Sequence, residues 1–254
     1  MAYTSLVNVM RKHLRRLIKY PALFCLLVVG LLIAVGTSFT TGVSRKRIIA
    51  QYWFRILLTI LNVELEIKGL HKLEKEYFIV ANHISWMDIP VISACLPVCF
   101  LSKSEVRQWP LIGFLARFVE TIFIARASRR AIKRVNEDIE ESLLNRQNVC
   151  VFPEGTTTPG DRLGAFHSSI FQPAVKNGSK VLPVAIRYLD ETGKPTIAPA
   201  YIGSMTLMSS LDRIITEPML CAEVNFLAPI DSRGSEREHI SEVSREMIFT
   251  ALFK

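Results

Sequence analysis

His83 and Asp88, five positions apart and preceded by Asn82, are the residues whose types and spacing fit acid–base chemistry. An imidazole that titrates near neutrality can take a proton from a hydroxyl. A carboxylate bonded to its other ring nitrogen fixes the tautomer and stabilises the imidazolium. Helical side chains meet at a spacing of three or four, so this pair needs a turn between its members. Asp88 as an N-cap, with Pro90 in the first helical turn, would supply one. A buried structural histidine beside a capping aspartate has the same spacing, and these two positions leave both readings open.

Lys103, Arg126, and the pair Glu154 and Arg162 follow strand-like runs or precede helix-like ones. Cations at such places can hold a phosphate, arginine in bidentate fashion. Glu154 could accept from a substrate hydroxyl or orient an arginine. Gly155 with Thr156, Thr157 and Thr158 offers backbone and hydroxyl donors to an oxyanion or phosphate. An ordinary surface turn has the same composition. The chain contains no G-x-S-x-G elbow, P-loop lysine motif or G-x-G-x-x-G, which disfavours serine hydrolysis and nucleotide chemistry. A base without a protein nucleophile points to attack by a substrate hydroxyl on an activated acyl group.

These side chains need elements to position them. The apolar run Tyr77–Val80 reads as a strand that delivers Asn82 and His83 at its carboxyl end, where open α/β sheets keep their sites. Further strands are expected at Val63–Lys68, Val98–Leu101, Thr121–Ile124, Val149–Phe152, Val181–Tyr188, Ile197–Tyr201 and Cys221–Leu227. Helices are expected at Ile89–Leu96, from Ser102 onward, and at Phe114–Phe118, Arg129–Asn145 and Phe171–Lys176. Within Arg129–Asn145 the core face should carry Ala131, Ile132, Val135, Ile139, Leu143 and Leu144. Ser235-x-x-Glu238 reads as a capping box opening a terminal helix. The alternation predicts an α/β domain over 62–254, with a mixed, largely parallel central sheet flanked by helices.

The first 61 residues differ in character. Met1–Tyr20 carries Arg11, Lys12, Arg15, Arg16 and Lys19 and reads as a helix with its basic face on anionic headgroups. Ala22–Phe39 is uncharged and about the minimum length for a membrane span. A secretory signal is the competing reading; the length of the apolar run, the basic residues Arg45, Lys46 and Arg47, and the cysteine usage weigh against it. With Ile48–Leu61 this predicts a membrane-embedded helical hairpin that dips into one leaflet, basic residues at its outer ends. The charge of +8 over 254 residues suggests an anionic partner. So much apolar sequence favours a membrane surface over nucleic acid, for which no recognition motif is present. Five scattered cysteines fit a reducing compartment, and no metal-ligand spacing occurs.

Four segments together resemble the PlsC-type lysophosphatidic acid acyltransferases of glycerolipid synthesis. Asn82-His83-x4-Asp88 looks like the first motif of that family and Phe123–Arg126 the second. Phe152–Thr156 matches the third, Val181–Ile186 is similar to the fourth, and Lys103–Gly113 also fits. The resemblance runs in the family's order over roughly residues 63–230. It implies that His83, held by Asp88, deprotonates the free hydroxyl of a lysophospholipid, which attacks the thioester of acyl-CoA or acyl-carrier protein. Asn82, Lys103, Arg126, Glu154, Gly155, Thr156 and Arg162 become the expected substrate-binding residues, and no metal or redox cofactor is called for. A bacterial cytoplasmic (inner) membrane location, with the site at the cytoplasmic leaflet, is implied. Thr157 departs from the arginine that commonly follows Glu-Gly-Thr; Arg162 or Lys103 would replace it, or the acceptor lacks a glycerol phosphate. The segment 156–172 looks like the branch that includes lyso-ornithine lipid acyltransferases. A non-catalytic lipid-binding scaffold and a hydrolase using water are the competing readings.

Overall fold

The computed structural model describes residues 2–70, 76–124 and 129–254. A long helix α1 (Ala2–Thr37) and a second helix α2 (Val43–Leu61) precede β1 (Val63–Lys68), β2 (Tyr77–Ala81), α3 (Asp88–Cys95) and β3 (Cys99–Lys103). A 3-10 turn at Ser104–Gln108 leads to α4 (Ile112–Phe118), β4 (Ile122–Ile124), α5 (Arg129–Leu144) and β5 (Val149–Val151). The chain ends with α6 (Gln172–Asn177), β6 (Lys180–Asp190), α7 (Leu207–Thr216), β7 (Leu220–Phe226), β8 (Ile230–Asp231) and α8 (Arg237–Phe253).

The sheet runs β1-β7-β6-β2-β5-β3-β4, with β8 beside β6. β6 pairs antiparallel with β7 and β8; the other pairs are parallel. β2 lies at the centre with every residue buried, which is why its run is continuously apolar rather than alternating. Ile79, Leu182, Val184 and Ile186 face a core shared with α2 and α3, while Phe78, Val80 and Val181 face α5, α6 and α8. The expected mixed, largely parallel sheet with helices on both faces is what the chain forms.

Several local expectations change. Ile197–Tyr201 is a turn, not a strand: Ala200 N donates to Ile197 O, and Tyr201 N donates to Ile84 O at 3.0 Å. Pro199, within the segment, lacks the amide donor that a ladder needs. The helix expected from Ser102 is a 3-10 turn starting at Ser104, because Ser102 and Lys103 complete β3. The capping box does not form. α8 starts at Arg237 with no side-chain cap, and Glu238 accepts from Arg237 Nε at 2.7 Å; Ser235 N turns back to Ser232 O. The helix starts one residue later than the box requires, which puts Glu236 at the N-cap and takes Glu238 out of the N3 position. On α5 the core takes Val135, Ile139 and Leu143, while Ile132 and Leu144 face outward; Ala131 lies among residues whose side chains are not described. α7 escaped the sequence reading, although Thr206 caps it by accepting from Ser209 N.

The N-terminal region forms the expected pair of helices, but α1 is one continuous helix through Pro21. Three of its five cations, Arg15, Arg16 and Lys19, turn towards the protein, while Arg11 and Lys12 stay exposed. Arg16 grips Asp212 on α7 through Nε and Nη2, both at 2.7 Å, and the Tyr20 hydroxyl joins the same carboxylate. Arg15 donates to Thr216 O, and Lys19 to Leu61 O at 2.8 Å. Thr216 and Leu61 end α7 and α2, so these cations sit at the negative ends of two helix dipoles. Arg47, expected at an outer end, is buried and donates to Val119 O and Gln147 Oε1. Leu14, Leu17, Ile18, Phe24 and Leu32 are left exposed. Gly30 lets α2 approach: a Cβ there would lie 2.6 Å from Trp53 Nε1, which donates to Leu26 O.

Candidate active site

Parallel pairing of β2, β5, β3 and β4 brings their carboxyl ends to one edge of the sheet. His83 follows β2, Glu154 follows β5, and Lys103 ends β3 on that edge. Arg126 follows β4 but lies outside the described residues.

His83 and Asp88 meet across a turn, one of the two arrangements their spacing left open. His83 Nδ1 and Asp88 Oδ2 are 2.8 Å apart. The imidazole is 20 % exposed and the carboxylate is fully buried, so the pair has one solvent-facing member. Asp88 is not an N-cap: Met87 occupies that position without a side-chain bond, and Asp88 is the first helical residue. Its carboxylate reaches backward instead, where Oδ2 also accepts from Ile84 N at 2.7 Å and Ser85 N at 2.9 Å. Three donors converge on one oxygen, a stronger draw for a buried anion than a helix amide. Pro90 falls in the first turn, where its missing N–H has no intrahelical role. The His83 ring lies flat on Phe152, with centroids 4.0 Å apart at 11°, which fixes its plane. Nδ1 is committed to Asp88, so Nε2 is the nitrogen available to a substrate proton.

Several residues expected to bind substrate make hydrogen bonds that hold the loop. Asn82 is buried; Nδ2 donates to Ile186 O and Oδ1 accepts from Ile186 N, extending the β2–β6 pairing by one side chain. Glu154 is buried too, its Oε1 accepting from His83 N and Oε2 from Gly164 N, both at 2.8 Å. Burial raises its carboxyl above the usual range, partly offset by those two amides. The turn also consumes donors expected to face an oxyanion: Gly155 N donates to Phe152 O at 3.0 Å, and Thr158 N to His83 O at 2.8 Å. The Thr157 hydroxyl donates to Tyr201 O. Gly155, with φ +65°, and Thr156 are exposed at the tip of the turn. Lys103 and Arg162 are exposed, and the Arg162 carbonyl accepts from the Thr158 hydroxyl.

Three neighbours were missed by sequence reasoning. The Tyr188 hydroxyl donates to Asp88 Oδ1 at 2.8 Å. Phe152 stacks on His83. His167 N donates to Pro153 O, and its ring lies where a Cβ on Gly155 would be 3.4 Å away. Only the alternation of β6, which puts Tyr188 on the face of Ile186, hinted at the first of these.

A family model described as Acyltransferase matches residues 64–187. A lyso-ornithine lipid O-acyltransferase of Pseudomonas aeruginosa is 34% identical over 248 residues, 95% of each chain. A 1-acyl-sn-glycerol-3-phosphate acyltransferase of Neisseria meningitidis is 38% identical over 76% of this chain and 75% of that one. Its counterpart from Neisseria gonorrhoeae is 42% identical over 62% of each. The crystal structure of the 1-acyl-sn-glycerophosphate acyltransferase PlsC of Thermotoga maritima superposes with a TM-score of 0.68 over 97% of this chain and 98% of that one, at 23% identity. With these relatives and this fold, the chain belongs to the PlsC-type acyltransferase family and is a lysophospholipid acyltransferase.

Proposed function

We propose that this enzyme transfers a fatty acyl group from the thioester of acyl-CoA or acyl-carrier protein to the free hydroxyl of lysophosphatidic acid, giving phosphatidic acid, with His83 as general base. The observation that carries this reading is the His83–Asp88 pair, with Nδ1 held at 2.8 Å and the ring partly exposed. Nε2 takes the hydroxyl proton as the acceptor oxygen bonds to the acyl carbon. The carbon–sulfur bond then breaks, and the proton passes from His83 to the departing thiolate. Asp88 stabilises the imidazolium between those steps. Lys103 and Arg162 are exposed on or near this edge and are the cations this reading assigns to substrate phosphates. The bacterial relatives and the helix over Val7–Thr37, long and apolar enough by length and composition to cross a membrane, support a membrane-associated enzyme; this reading puts it where its acceptor lies, at the cytoplasmic leaflet of the inner membrane.

One observation favours a second acceptor. Thr157 stands where the family commonly has arginine, and its hydroxyl is spent on Tyr201 O, so it brings no charge to a glycerol phosphate. Lyso-ornithine lipid, the acceptor named for the Pseudomonas relative, carries no phosphate. The test is acyl transfer by the membrane fraction with acyl-CoA and each lysolipid in turn. Phosphatidic acid as product supports the first acceptor; product only from lyso-ornithine lipid moves the assignment to the second. His83→Ala should abolish transfer, by about two to four orders of magnitude, in protein that stays folded and membrane-bound. Retained activity would remove His83 from the role.

A further inference from the structure

We propose that Tyr188 is a positioning residue for the reaction, its hydroxyl setting the basicity of His83 through the 2.8 Å hydrogen bond it donates to Asp88 Oδ1. This rests on His83 being the general base.

Leu182, Val184 and Ile186, on Tyr188's face of β6, are apolar and fully buried. Phenylalanine would continue that face. The hydroxyl instead bonds the carboxylate oxygen that His83, Ile84 and Ser85 leave untouched, since all three use Oδ2. Asp88 has no solvent exposure, so without the phenol Oδ1 would be a charged oxygen facing a dry interior. The asymmetry has a consequence. Each donor on a carboxylate draws charge from it and weakens its hold on the imidazolium. Removing the phenol therefore strengthens that hold, and His83 keeps its proton to higher pH.

Other titratable groups near Asp88, among the described residues, do not confuse this. Cys150 on β5 is fully buried, and burial pushes its thiol well above its ordinary value, so it stays neutral. Burial and the adjacent Asp88 push Tyr188 well above its ordinary value too, so it remains a donor throughout the working range. Glu154 accepts from His83 N at 2.8 Å and interacts with the charges of both His83 and Asp88, an influence common to the wild type and the Tyr188 variants.

The experiment is the pH dependence of kcat and KM for the full-length membrane-bound enzyme. Tyr188→Phe should lower kcat about three- to ten-fold, far less than loss of the base itself, with KM for both substrates unchanged. Its acid limb should move up by about 0.5–1 pH unit. In an Asp88→Asn background the same change should have no further effect. Site-specific replacement of Tyr188 by 3-fluorotyrosine, a stronger donor of the same shape, should move the limb downward and keeps the test alive if Tyr188→Phe does not fold. An unmoved acid limb in either variant, or a loss that adds in full to that of Asp88→Asn, overturns the proposal. His83→Ala is run alongside: if it is inactive while the limbs do not move, Tyr188 alone is reassigned, whereas an active His83→Ala removes the general-base reading and this inference with it.

Discussion

Gly164 has no side chain because Glu154 fills the space: a Cβ there would lie 2.8 Å from Oε2. That carboxylate is held by two backbone amides and cannot swing away without releasing His83 N. Gly164→Ala should therefore displace the His83 loop and lower kcat on the order of ten- to a hundred-fold, the usual scale for small misplacements of a catalytic group. Unchanged steady-state kinetics would mean that the loop tolerates the shift. Glu154→Gln makes a milder version. One oxygen becomes an NH2 group facing an N–H, leaving a buried donor unsatisfied at a cost of about 1–3 kcal/mol. A thermal melt should show that loss, with activity falling alongside; a wild-type melting temperature would show that the loop is held elsewhere.

At the scale of elements, α1 and α7 are latched by Asp212, which accepts from Arg16 and Tyr20. The Arg16 hydrogen bonds, opposed by partial burial, hold this carboxyl below its ordinary value of 3.8. A depressed acid contributes stability above its unfolded value and loses it as pH falls through the folded one. The latch is thus complete at neutral pH and should loosen only below about pH 4. The carboxylate is a third exposed, so screening limits its worth to about 1 kcal/mol or less. Asp212→Asn should speed hydrogen exchange in α1 and α7 at pH 7 while sparing β2 and β6. Exchange that stays slow in both helices would show that apolar packing alone docks them.

For the molecule as a whole, α2 is part of the sheet's core. Leu57, Leu58 and Leu61 are buried in the same cluster as Ile79, Leu182 and Ile186. Each contributes about 1.5–3 kcal/mol by burial, and three together approach a typical net stability of about 5–15 kcal/mol. A fragment spanning 62–254 should lose cooperative unfolding by circular dichroism; a melt matching that of the full chain would show that the helices are dispensable. The exposed face of α1 carries Leu17, Phe24 and Leu32 while Arg15, Arg16 and Lys19 point inward, so lipid contact is expected to be apolar along that part of the helix, with the exposed Arg11 and Lys12 left to meet headgroups. If the pair of helices dips into one leaflet, cysteines replacing Lys12 and Lys68 will label from the same side of the membrane. Labelling from opposite sides would make α1 a true span.

The strand–loop–helix order around Asn82, His83 and Asp88 was written in the residues, because an unbroken apolar run, a polar pair and a proline are local signals. So was the alternation of strands and helices, whereas the His83–Asp88 spacing left two arrangements open, a bonded pair or a capping aspartate, and the folded loop forms the first. The sequence could not say which way a charge points. Asn82 and Glu154 have the composition of binding residues, yet their partners, Ile186 and Gly164, are 104 and 10 positions away. Tyr188 reaches Asp88 across 100 positions. The inward turn of Arg15, Arg16 and Lys19 depended on where α7 and α2 end in space. Local pattern fixes elements through the chain's own periodicity. The partner of a buried polar group is settled only when distant segments pack and each must find a donor or acceptor out of water.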